Sequence, residues 1–532
     1  MNWFRNGAAG RSHWQPEMRA NLLQEVEPKF SPADDISDMR KASRHAYYAL
    51  LLLMLANFLN YVDRSIISIV AEHLKKDLRL NDEQLGFLMG TAFAVFYGVA
   101  GISMGRIADA LSRTKLMAAA LVIWSGLTAA SGAATSFLWL AAARVGIGLG
   151  ESAASPCSQA LISDYFPPRN RAAAISLYLI GVYVGNAASL VLGALVLQNW
   201  STLCSFFPGN ACGVPEWRAA FFAVGAPGLL LALLVYRLRE PPRAVPPVKM
   251  SVTRIIMREI SAAMPPLTLL NLANAGGNRA VCANVLLILT IVAIGWGLVL
   301  ASGDVAQWIA VGIGAYSILT WGQVIKLRDR PLYDVTFGSR VFVCVMLAGA
   351  LNACISAGIG AWSAPYAMRA FGSPPVDTGL YIGLFHALGA GISVPLGGWL
   401  SDKWRRRDVR APVWIGLIGM ICSIPFLVLM LLSRDLLSFS LASFFQVFFA
   451  FAWSGAAAAL AQDLVHPRMR GSAAACFTLV MIVISSGLGP YAVGKVSGIT
   501  ASLASGLLST LLVVPAAIAL FLIAAASLPR AR

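Results

Sequence analysis

Long apolar stretches follow one another from about residue 45 to residue 528, most of them some twenty residues or more, with short polar turns between. About 20 residues of helix cross the ~30 Å hydrocarbon core of a bilayer. In lipid a helix satisfies its own backbone groups. The chain is therefore expected to be an all-α membrane protein. Fourteen such spans are expected. Six lie at about 45–71, 84–107, 115–134, 137–163, 172–197 and 218–238, and six at about 340–370, 378–400, 411–432, 436–463, 472–495 and 505–528. Two more, at about 281–301 and 305–326, fall between the sets.

Charge supports this reading. Only 12% of residues are charged against 58% apolar, about half the charge of a soluble domain. The net charge of +16 does not mark a nucleic-acid binder, because the basic residues sit at alternate ends of the spans. Arg106, Arg113 and Lys115 follow the second, Arg169 and Arg171 the fourth, and Arg237, Arg239 and Arg243 the sixth. Lys403, Arg405, Arg406, Arg407 and Arg410 follow the eighth, Arg468 and Arg470 the tenth, and Arg530 and Arg532 the twelfth. By the positive-inside rule both termini are cytoplasmic. Lys75, Lys76 and Arg79 after the first span are an exception among acids. No cleavable signal is visible, since the first apolar run is too long for one. The expected domains are a cytoplasmic tail over 1–44, a six-helix bundle over 45–239, a linker with the extra pair over 240–337, and a second six-helix bundle over 338–532. In the linker, SVTRIIMREISAAM has the spacing of a helix lying on the inner membrane surface.

The fourth span carries Arg144 and Glu151 seven residues apart, close to two turns, so both lie on one face. Gly146, Gly148 and Gly150 between them suit close helix contact. Intramembrane charges are expensive and mark substrate or ion routes by default, with a structural ion pair as the alternative. The first span adds Asp63 and Arg64, with Asn57 and Asn60 as candidate substrate contacts. With antiparallel helices of level ends, Arg144 joins Asp63 and Arg64. Glu151 then lies about 10 Å deeper, near Asn57 and away from the arginines. That makes Glu151 the better candidate for reversible protonation, with Asp63 also in the proton-coupling set. Arg64 and Arg144 are candidates to read an anion, since guanidinium groups bind phosphate and carboxylate by two-pronged contacts. The second half is largely apolar and offers Asn352, Trp362, Tyr381, His386, Gln446 and Trp453, with Tyr381, His386, Gln446 and Trp453 as candidate substrate contacts.

The chain also repeats itself. Gly105-Arg-Ile-Ala-Asp109 to Arg113 matches Gly398-Trp-Leu-Ser-Asp402 to Arg405 and Arg406, and PPRNRAAAIS resembles HPRMRGSAAA. The two halves are expected to be parallel repeats. Asp109, Arg113, Asp402, Arg405 and Arg406 are read as a latch whose pairs form only when the cytoplasmic side is closed. Cys204 and Cys212 share a polar loop on the outer side, and both a disulfide and free thiols stay open. No phosphate-binding loop, metal spacing or nucleophile elbow occurs, so neither ATP, a metal nor any other cofactor is implied.

The repeated G-x3-D turn resembles the signature loop of the major facilitator superfamily. Asn60-Tyr-Val-Asp-Arg64, Arg144-Val-Gly-Ile-Gly-Leu-Gly-Glu151, Ile162-Ser-Asp-Tyr-Phe-Pro167, Ala361-Trp-Ser-Ala-Pro365 and Gly487-Leu-Gly-Pro490 resemble its Spinster branch. Ala110 departs from the pattern, which has a basic residue after Asp109. The resemblance implies two six-helix bundles rocking about a central site, protonation at Asp63 and Glu151, and cargo such as a lysophospholipid or sphingoid phosphate. The expectation is a monomeric, proton-coupled secondary transporter of the cell inner membrane, surrounded by membrane lipids, with no nucleic-acid partner and no enzymatic activity. A small organic anion is the rival cargo, and a non-cycling lipid-binding protein the rival class.

Overall fold

The computed structural model describes residues 43–206, 211–241, 268–465 and 469–528. The tail up to residue 42, the surface helix expected at 251–264, and Arg243, Arg468, Arg530 and Arg532 lie outside these residues.

Helix α1 spans Arg44–Leu78, α2 Asp82–Met89, α3 Thr91–Ala110 and α4 Arg113–Ser131. The fourth span is two helices, α5 Phe137–Glu151 and α6 Ala154–Tyr165. The half closes with α7 Pro168–Leu203 and α8 Glu216–Tyr236. The extra pair is α9 Thr268–Ser302 and α10 Val305–Arg328, followed by the short α11 Arg330–Val335. The second half comprises α12 Arg340–Phe371, α13 Pro375–Arg405, α14 Ala411–Leu432, α15 Leu436–Phe451, α16 Trp453–Asp463, α17 Arg470–Thr500, α18 Leu503–Ser509 and α19 Val514–Ser527.

Among the described residues, thirteen helical segments are long and apolar enough to cross a membrane. The broken fourth span adds one more crossing. Its break corrects the expected continuous helix over 137–163. Pro156 has no N–H for the carbonyl of Ser152, and the hydrogen-bond ladder is interrupted at 152–153. A second correction concerns the linker, of which residues 268–280 are already helical, with a kink at Gly277 (φ 63°).

Helix ends carrying Arg113, Lys115, Lys403 and Arg405, with Arg239 in the segment after α8, define a basic face. On the opposite face, Cys204 and Cys212 are disulfide-bonded. There, too, the exceptional basic cluster after α1 finds its reason. Lys75 pairs with Asp82 at 2.6 Å, and Arg79 takes the left-handed conformation that ends α1.

The halves meet along two seams, α3 with α17 and α7 with α13. Gly379 and Gly383 of α13 pack on the backbone of Leu190 and Ala187. Gly98 of α3 packs against Leu479 and Val483 of α17, where an added Cβ would lie 2.9 and 3.1 Å from their side chains. Gly101 and Gly105 lie within about 60° of Gly98 around the same helix. A Cβ at either would meet nothing within 4 Å. The α3–α17 seam is thus closed toward the opposite face and parted toward the basic face.

Polar contacts between the halves follow the same gradient. Arg369 of α12 donates to Asp82 at 2.8 and 2.7 Å and to Glu72 at 2.8 Å. Ser497 of α17 donates to Asp82 at 2.7 Å, and Lys495 pairs with Glu83 at 3.1 Å. Ser68 donates to the carbonyl of Ala361 at 2.6 Å. Among the described residues, no ion pair joins the halves on the basic face.

Candidate functional site

Between the halves lies a cavity of about 520 Å³. From the first half it is lined by Tyr61, Arg64, Ser65, Phe93, Arg144, Tyr183 and Asn186. From the second it is lined mainly by small or apolar residues, among them Ala357, Gly360, Ala387, Ala390, Val447 and Phe451, with Ser356, Ser454, Ser486 and His386 as polar points. One wall is cationic and aromatic, and the other is smooth.

Arg64 is the centre of the polar wall. Its Nε donates to Glu151 Oε2 at 2.7 Å. Its guanidinium lies over the rings of Tyr97, Tyr61 and Phe93 at 4.4, 4.8 and 4.8 Å from the centroids. Cation–π attraction holds the group in place without using its N–H donors. The terminal nitrogens have no hydrogen-bond partner among the described residues and remain able to donate. Beside it, Ser65 donates to Asn186 Oδ1 at 2.6 Å, and Asn186 is fixed by the Val182 carbonyl at 3.0 Å.

Arg144 is arranged differently. Its three hydrogen bonds go to the carbonyls of Leu88, Asp63 and Arg64 at 3.2, 3.1 and 3.3 Å. It is 1% exposed and stitches α5 to α1 and α2. Asp63 is also 1% exposed, and neither of its carboxylate oxygens has a hydrogen-bond partner among the described residues. Thr128 of α4 is its neighbouring hydroxyl.

This pairing corrects the sequence-based placement. Glu151 was expected alone, near Asn57, with Asp63 between two arginines. Instead Glu151 holds the Arg64 guanidinium and Asp63 stands without an ion-pair partner. The level-helix estimate considered only backbone rise, whereas a long arginine reaches past a turn. Asn60 lies beside Glu151. Asn57 donates to the Tyr178 carbonyl at 3.0 Å, tying α1 to α7.

The second-half candidates divide. His386 lines the cavity and bonds Ser443. Trp453 does not line it; it is 2% exposed and packs edge-on against Phe521. Gln446 is buried away from the cavity with its amide unpartnered among the described residues, and Tyr381 does not line the cavity either. Asn352 donates to the Ala450 carbonyl, and Trp362 to the Pro490 carbonyl.

The latch residues are corrected as well. Arg113 pairs with Asp109 at 3.0 Å and with Asp164. Arg405 pairs with Asp463. Each pair joins helices of one half, and each is formed while the basic-face seam is parted. Asp402 and Arg406 are exposed, with no ion-pair partner among the described residues.

Sequence reading missed the ring cage and the opposite-face cluster. Tyr61 stands three residues before Arg64, one turn away on the same helix face, which was the available signal. Asp82 and Arg369 are 287 residues apart, and nothing local links them.

The architecture matches that of known proteins. The model of the Major Facilitator Superfamily matches residues 53–490. The chain belongs to the major facilitator superfamily. Facilitators of this superfamily are transporters, and this one is a multi-pass membrane protein. It is 27% identical over 463 residues to an MFS-type efflux pump of Mycolicibacterium smegmatis, covering 86% of each chain. It is 29% identical over 196 residues to a probable L-galactonate transporter of Escherichia coli, covering 36% of this chain and 40% of that one. Its fold is similar to the crystal structure of a bacterial homologue of the human lysosomal transporter Spinster, in an inward-facing and occupied conformation. The TM-score is 0.69 at 24% identity, covering 92% of this chain and 98% of that one.

Proposed function

We propose that this facilitator is a proton-coupled secondary transporter of an anionic amphipathic molecule, with a lysophospholipid or sphingoid phosphate as the substrate class. The observation that carries the reading is the Arg64–Glu151 pair on the cavity wall. A substrate anion and the Glu151 carboxylate compete for one guanidinium. Protonating Glu151 removes its charge and frees Arg64 for the anion, so proton and anion occupy the site together. The reciprocity of linked binding requires each to favour the other. Asp63, buried without an ion-pair partner, is the second proton site. The smooth wall of the second half accommodates an acyl or sphingoid tail, and Arg64 with Ser65 and Asn186 faces the head group. Arg144, its bonds directed to carbonyls, positions α1 rather than reading the anion.

In this proposal the protein works as a monomer in the cell inner membrane, with the basic face and both termini cytoplasmic. The parted seam is then inward-facing. The bundles rock to close it and open the opposite face. A proton drives the change only by binding the two facing states unequally.

Purified protein in proteoliposomes, with an imposed pH gradient, tests the reading against lysophosphatidate, sphingosine phosphate and short sugar acids. Gradient-dependent accumulation of the long-chain phosphates supports it. The likeness to an L-galactonate transporter favours a second reading, a small organic anion as cargo. Accumulation of sugar acids alone would select that one. Binding without gradient-driven movement would select a non-cycling lipid-binding protein.

A further inference from the structure

The inserted helix α10 lies along the groove between α3 of the first half and α17 of the second, holds α17 at its tip and touches both at two further depths. At its tip, the turn through Gly303 adopts φ +80°, which glycine tolerates without strain. The turn sets the Asp304 carboxylate against Tyr491 and Lys495 of α17, at 2.6 and 2.8 Å. Lys495 also donates to the Ser302 carbonyl at 2.6 Å and pairs with Glu83 of α2 at 3.1 Å. One ammonium group on the second half is thus held by the first half and by the insert together.

One turn further along α10, Gln307 is 1% exposed and Thr91 of α3 is fully buried. Gln307 Nε2 donates to the Gly487 carbonyl of α17 at 3.1 Å. The Thr91 hydroxyl lies 2.7 Å from Gln307 Oε1 and 2.5 Å from that same carbonyl. Thr91 has one proton for two acceptors, and the Gln307 amide supplies the missing donor. The contact sits where Pro490 interrupts the hydrogen-bond ladder of α17. Two turns on, Gly314 brings α10 close to Val483 and Val95, 2.9 and 3.1 Å from where a Cβ would stand.

We infer that α10 is a clamp on the α3–α17 seam and that Gln307 is its positioning residue, so that the insert sets the balance between the two facing states. Opening the opposite face separates Thr91 from Gly487, and Gln307 can follow only one of them. The other buried polar group then loses its partner, and this penalty resists opening. The inference rests on the rocking-bundle reading above.

Leu138 and Leu437 open α5 and α15 on the opposite face of the two halves and are 76% and 54% exposed. Spin labels introduced there as unnatural amino acids report the separation of the halves by double electron–electron resonance in lipid nanodiscs. Gln307→Leu and Thr91→Val are each expected to raise the ratio of long to short distances roughly three- to tenfold, the range for one buried hydrogen-bonded contact. Either variant carries the test if the other fails to assemble. Arg369→Ala, which cuts the Asp82 cluster, is the control for opening. If it lengthens the distances while Gln307→Leu and Thr91→Val leave them unchanged, the clamp is overturned. The same holds if those two variants only lower the melting temperature. If none of the three moves the distances at any pH or substrate concentration, the rocking reading fails and the clamp falls with it.

Discussion

Arg64 Nε lies 2.7 Å from Glu151 Oε2, with three aromatic rings around the same guanidinium. The cage keeps Arg64 in place whether or not Glu151 is charged. Proton and anion can therefore exchange at a fixed cation without a large side-chain movement. Glu151→Gln preserves the shape and an oxygen acceptor for Arg64 but cannot take up a proton. Gradient-driven accumulation is expected to fall at least tenfold, about 1.4 kcal/mol or more in coupling. The melting temperature and the pH-independent exchange of substrate are expected to persist. Unchanged accumulation along the gradient would remove Glu151 from the proton path.

Arg64 and Arg144 share a charge and a neighbourhood but not a role, and substitution should separate them. Arg64→Lys keeps the charge yet loses the planar contact with the rings and the directed Nε bond. A drop in apparent substrate affinity of about tenfold or more is expected, at little cost in stability. Arg144→Gln replaces a charged group that donates to three backbone carbonyls with a shorter, neutral amide that has two N–H donors, and hydrogen bonds to charged groups contribute about 1.5–3 kcal/mol each. Its effect should appear as a lower melting temperature. Titrating substrate against thermal shift on both variants gives both quantities, and the reverse pattern would exchange the two assignments.

The spans and the internal repeat were legible because they depend on length, apolar content and local motifs. The break at Ser152–Ala153 was less so, since its cause, Pro156, acts four residues upstream of itself. Which acid takes which arginine was not legible, because Arg64 and Glu151 are separated by 87 residues and their pairing depends on helix crossing and side-chain reach. Trp453 and Gln446 failed as cavity residues for a related reason. In a helix that is apolar nearly all round, periodicity does not say which side faces a cavity. The Asp82–Arg369 contact and the Gln307 bridge are tertiary facts between distant segments, and only the assembled bundle contains them.

Glu240 fastens the end of the first half to its signature loop. Its carboxylate accepts from the backbone N–H groups of Arg113 and Thr114, both at 3.0 Å, and from the hydroxyls of Ser112 and Thr114 at 2.8 and 2.9 Å. This is an acidic cap on the N-terminus of α4, where the helix dipole favours negative charge. It stands in a loop where Ala110 departs from the pattern of a basic residue after Asp109. Glu240→Ala is expected to lower stability by about 1–2 kcal/mol, measured by thermal unfolding in detergent. Glu240→Gln should recover part of that, and equal stability of all three proteins would show that the cap contributes nothing.

Asp304 gives the insert a pH dependence of known sign. Burial pushes its carboxyl up, but the bonds from Lys495 and Tyr491 outweigh burial and hold it below the usual carboxylate value. Glu83 is the other acid facing the group, through the shared Lys495. A carboxyl lowered by folding stabilises the protein above its unfolded value, near 4, and loses that contribution as pH falls through the folded value. The stability gap between the native chain and Asp304→Asn should therefore be full at pH 7 and shrink progressively below about pH 4. Melting curves of both proteins at a series of pH values measure it. A gap that stays constant down to pH 3 would mean that Asp304 holds the α10 tip by shape rather than by charge.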